Sequence, residues 1–97
     1  SPSRGLGDVY KRQILEELSA ATTKLTETEQ QVKTAQENMA LAEENLDLVT
    51  FSYNEGRASM VDVLSAQLSW TQAQTNLINA HLAAKMAVAE YRKAISE

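Results

Sequence analysis

His81 is the only histidine in a 97-residue chain that has no cysteine. A metal centre needs three or four converging donors. The nearest acid toward the C-terminus, Glu90, lies too far along a helix to share a ligand face with it. Glu16-Glu17 and Glu43-Glu44 are adjacent pairs. Neighbours on a helix diverge by about 100°, so neither pair converges on one atom. No Ser/His/Asp order, phosphate-cradling glycine loop or nucleotide motif occurs. The residues predict no enzyme, no metal and no cofactor. Asp62 is the informative acid. It stands three residues after Ser59 and directly before Val63-Leu64, the spacing of a capping box with an acid at its third position. One reading makes Asp62 a first-turn carboxylate favoured by the cap and the helix dipole. The other displays it near the end of a hairpin, so that a ring of hairpins would carry a ring of negative charge at a pore mouth. The two are compatible.

The elements that must position such a residue follow from composition. Apolar residues make up 43% and charged residues 23%, with three glycines, one proline and five aromatic residues in all. Such a chain favours long helices and disfavours a sandwich, a zinc module or a disulfide scaffold. A net charge of −4 argues against nucleic acid as a partner. The longest uncharged stretch, Val63–Ala84, carries Ser65, Gln67, Gln72, Asn76 and Asn79. Those groups are expensive in hydrocarbon, so it is not read as a membrane span.

From Ile14 to Tyr53 the apolar period is seven. One seam is Leu18, Leu25, Val32, Met39, Leu46 and Tyr53; the other is Ile14, Ala21, Thr28, Ala35, Ala42 and Val49. Together they make an a/d pair. This arm holds nine acidic residues through Glu55 against Lys24 and Lys33, which makes its outer face negative.

A second arm repeats the period with Val63, Trp70, Leu77, Ala84 and Tyr91 beside five alanines, Ala66, Ala73, Ala80, Ala87 and Ala94. An all-alanine seam lets another backbone come close. Between the arms lies Asn54-Glu55-Gly56-Arg57-Ala58, where a glycine suits the positive φ of a helix C-terminus. The fold predicted is all-α: a long antiparallel αα-hairpin, with one helix over about 14–54, a tip over about 55–58 and a second helix over about 59–96. Pairing Tyr53 with Met60 sets Leu18 opposite Ile95, and each arm spans ~54 Å at the helical rise. Tyr53 is then the last seam residue, packing under the turn or offering its phenol to a tip hydrogen bond.

Residues 1–13 differ from the rest. They hold two glycines and the only proline, and no helical period runs through them. Asp8–Gln13 resembles the translated end of a transposon adapter used in sequencing libraries. The stretch is therefore expected to be a non-native or disordered leader, preceding a piece of a longer protein.

Apolar residues exceed what one hairpin seam can bury. Leu41, Leu48 and Phe51 lie off the first arm's seam, and Leu64, Ile78, Leu82 and Met86 off the second arm's. A helix apolar on several sides calls for several neighbours, so the hairpin is expected to pack laterally against other helices.

The run LAEENLDLVTFSYNEGRASMVDVLSAQLSWTQAQTNLINA, followed by Ala83, Ala87 and Tyr91-Arg92-Lys93-Ala94, resembles the outer membrane efflux protein family, the TolC-like channels. The carrying pattern is Tyr53, Gly56, Ser59, Asp62-Val63-Leu64 and Ala66-Gln67, then alanines at heptad spacing. The resemblance implies the last long hairpin of an α-helical tunnel in a trimeric channel. Its turn would form the periplasmic tip, and the missing segments would form a β-barrel in the outer membrane of a Gram-negative bacterium. The tip, through Tyr53, Gly56, Arg57, Ala58, Ser59 and Met60, would meet a periplasmic adaptor linked to an inner-membrane transporter. Asp62 would match the first acid of the constricted entrance. The position one turn later, acidic in some members, is Ser65 here, and an Arg found two residues after the glycine is replaced by Ala58 with Arg57 one residue earlier. A two-ring gate and the links made by that Arg therefore do not carry over.

The resulting expectation is a tunnel segment of an efflux or type I secretion channel that helps gate it. The alternatives are a self-associating coiled-coil interaction module, which explains the seams but not the tip, and the hairpin of a periplasmic adaptor. The adaptor class brings β-rich lipoyl-like halves, and neither end here has strand alternation.

Overall fold

The computed structural model describes residues 2–96, and side chains from Gly5 onward. The chain folds into two helices, α1 (Pro2–Asn54) and α2 (Met60–Ser96), joined by a short tip and packed antiparallel into a rod of 82 × 17 × 13 Å. It is the all-α hairpin that paired heptads joined by a short connection dictate.

Burial follows the three-and-four spacing along both arms. On α1, Ala21, Thr28 and Ala35 are buried, and Leu18, Leu25, Val32, Met39, Ala42, Leu46 and Val49 are half-buried between and beyond them. On α2, Val63, Ala66, Ala73 and Ala87 are buried, while Trp70, Leu77, Ala80, Tyr91 and Ala94 are half-buried. The seam is thin because small residues alternate with large ones. Three grooves along the rod set the register, since Ala21 shares one with Ala94, Ala35 with Ala80, and Val49 with Ala66.

The tightest points are Thr28, 1% exposed, and Ala87, fully buried. Thr28 brings a hydroxyl into the seam and satisfies it within its own helix, donating toward the Lys24 and Leu25 carbonyls at 2.9 and 3.0 Å. Its burial therefore leaves no orphaned donor.

Two expectations need correction. Residues 1–13 were expected to be a non-native or disordered leader; α1 continues through them to Pro2, which corrects the disorder and leaves the origin of the stretch open, while Ser1 lies outside the described residues. With 53 residues against 37, α1 runs on past the end of α2. Leu6, Tyr10 and Ile14 are exposed because nothing in α2 lies opposite, so Ile14 does not belong to the seam. The physical reason is continuity: an established helix extends one bond per residue, and only the nucleus is costly. Tyr53 likewise does not close the seam at the tip. It is 40% exposed, and Ser52 is half-buried instead. Its assumed partner Met60 is exposed as well.

Candidate functional site

The tip is built by two capping motifs back to back. At the end of α1, the Glu55 amide donates to the Phe51 carbonyl at 3.0 Å, the last helical bond. The Arg57 amide then reaches back to the Ser52 carbonyl at 2.8 Å, and the Gly56 amide to the Tyr53 carbonyl at 3.0 Å. This nested pair is the Schellman arrangement, and it needs a left-handed residue at its bend. Gly56 supplies it with φ +78°, the one positive φ among the described residues. A Cβ there would meet nothing within 4 Å, so backbone conformation rather than crowding reserves the position for glycine.

At the start of α2, the Ser59 amide donates to Asp62 Oδ2 at 2.9 Å, and the Asp62 amide donates to Ser59 Oγ at 3.2 Å. The Val63 amide reaches the Ser59 carbonyl at 3.3 Å, the first intrahelical bond. Ser59 is thus the N-cap and α2 begins at Met60. The Ser59 backbone bond, then the hydroxyl, stabilise the carboxylate and hold Asp62 below the ordinary range. Asp62 remains exposed and charged while one of its oxygens holds the cap.

Around these caps the structure brings together Arg57, Ala58, Asp62 and Ser65 in one groove with Asn45 and Ser52 of α1. Ala58 is half-buried at its floor, whereas Arg57, Ser59, Met60 and Ser65 are exposed. Tyr53 lies outside that groove. Ala66 and Ser69 line it farther up, so the alanine seam of α2 reaches the tip through Ala66. Next along the rod, a second groove is lined by Gln31, Asn38, Asn76 and Asn79 over Ala35 and Ala80. Asn45, Ser52 and Ser69 were not anticipated. The signal was present: Asn45 and Ser52 stand seven apart beside the first arm's seam, and Ser69 stands seven after Asp62 beside the second arm's. Along the same face, the Gln72 side-chain amide donates to Asn76 Oδ1 at 3.1 Å.

Chemically, the tip offers a displayed carboxylate, hydroxyls and a guanidinium. Among the described residues no group of three or more metal-ligating side chains occurs, and no helix is long and apolar enough to cross a membrane. Comparison with protein families, with curated proteins and with solved structures gave no match.

Proposed function

We propose that the chain is a periplasmic tunnel segment of a trimeric outer membrane channel for efflux or type I secretion, with its tip contacting a periplasmic adaptor and helping to gate the passage. The observation that carries this reading is the distribution of exposed apolar side chains. Leu41, Leu48 and Phe51 on α1, and Leu64, Leu68, Ile78 and Leu82 on α2, remain exposed after the hairpin has closed its seam. A helix pair of this kind suits a wall, where each helix meets a neighbour on both flanks. The doubly capped Gly56 tip suits a free end that must hold its shape in water. Asp62 then contributes negative charge at the entrance, with Ser65 uncharged one turn farther in. The inner-membrane transporter is the third component in this reading, and the outer membrane is reached through segments outside this chain.

The segment that precedes the hairpin in its gene tests the proposal. Alternating β-strands that could close a barrel support it. Lipoyl-like β segments on both sides would replace it with the adaptor hairpin. A self-associating module remains the second reading, favoured by the same exposed side chains. A discrete, cooperatively melting dimer of the isolated chain in light scattering would select it.

A further inference from the structure

Outside the seam, each helix carries a second stripe at alternating spacings of three and four, and the two stripes lie on opposite edges of the rod. On α1 it is apolar near the tip, with Leu48 and Phe51 63% and 62% exposed, and acidic farther up, at Glu37 and Glu27. On α2 it is apolar near the tip, with Leu64 and Leu68 56% and 72% exposed, and basic farther up, at Lys85 and Arg92. Both edges are therefore apolar near the tip and carry opposite charges at their far ends, with exposed Leu41 of α1 and Ile78 and Leu82 of α2 lying between. The register within the hairpin comes from the facing pairs Ala21/Ala94, Ala35/Ala80 and Val49/Ala66. Carried across to a neighbouring copy with its tip level, that register sets Leu64 beside Phe51 and Leu68 beside Leu48, and sets Glu27 between Lys85 and Arg92.

From this match we infer that the outer edge of α2 is a docking surface for the outer edge of α1 of a second copy of this chain. Apolar contact near the tip supplies the attraction, and the Glu27–Lys85–Arg92 cluster fixes the direction and the register. The contact joins two different edges, so each bound copy still offers one free edge of each kind. Such a heterologous contact grows until it closes into a ring or continues as a row. The inference shares with the proposed function only the idea that the edges are covered laterally.

Sedimentation of the full chain over a range of concentrations tests it. The wild-type chain should associate beyond a dimer, and added salt should weaken that association. Glu27→Lys should weaken it about fivefold, the scale of an exposed pair turned repulsive. Lys85→Glu with Arg92→Glu should weaken it similarly, and the three changes together should restore it. Unchanged helicity by circular dichroism would show that each variant still folds. A chain monomeric throughout, a dimer that does not grow, or association indifferent to these reversals would each overturn the inference. The channel reading would survive the first and the third result, since there the neighbour is a different hairpin of the longer protein, whereas a discrete dimer would favour the self-associating module.

Discussion

Ser59 and Asp62 hold each other reciprocally: the backbone amide of each donates to the side chain of the other, at 2.9 and 3.2 Å. A residue that gives this end of the rod negative charge is thus also one that caps the start of α2. A change at this pair alters local order and surface charge together, and variants must be chosen to separate the two.

Ser59→Ala separates them, because it removes the hydroxyl and leaves the Asp62 charge in place. Loss of an N-cap side chain costs about 1 kcal/mol, and the first turn of α2 should fray. The check is thermal melting together with amide exchange at Val61, Asp62 and Val63. Exchange at those amides no faster than in the parent would show that the bond from Asp62 to the Ser59 hydroxyl does not support the helix.

The Asp62 carboxyl should titrate below its ordinary 3.8, read from its carboxyl carbon by NMR. The sign follows from linkage. The folded value is depressed, so the stabilisation is fully present above the unfolded value and is lost as pH falls through the folded one. Its share of the stability should therefore decline as pH falls below 3.8 and vanish below the folded midpoint, and Asp62→Asn should abolish that share at every pH. A midpoint at or above 3.8 would mean that the cap is not made in solution.

Gly56→Ala should destabilise the tip by roughly 1–2 kcal/mol, the cost of left-handed backbone for a residue with a Cβ. Since no atom lies within 4 Å of that Cβ, Gly56→Asn should recover much of the loss, as asparagine tolerates this conformation better. Chemical denaturation of the three proteins gives the order. Equal losses for alanine and asparagine would point to crowding at the tip rather than to φ.

Much of this architecture was legible because its determinants are local or periodic. Gly56, Ser59 and Asp62 act through bonds three to five residues long, which sequence spacing states directly. The seams are read from a seven-residue repeat, and Ala73 and Ala87 lie in the repeat's dry face. What escaped were features set by where a partner ends. Ile14 has the right residue type and period, yet α2 stops at Ser96 and nothing covers it. Tyr53 has the right period too, but the Schellman turn ends α1 one residue later and leaves the ring exposed. Gly5 and Gly7 argued against a helix through the first residues, and elongation from an existing helix overrides that weak propensity. The groove formed by Asn45, Ser52 and Ser69 required the register between arms, which no single arm encodes.

The alanine seam should be least tolerant where it is driest. Ala87 is fully buried, whereas Ala80 is half-buried beside a groove walled by Asn38 and Asn79. Enlarging either residue to leucine overpacks the contact and costs about 1–3 kcal/mol. The Ala87→Leu protein should sit at the upper end, because its new atoms have no solvent-facing path. The Ala80→Leu protein should sit at the lower end, since its side chain can turn into the groove. Melting both variants under identical conditions decides the order. If Ala80→Leu proves the costlier, or if both melt like the parent, the close approach of the two helices at these alanines is not what holds the rod together.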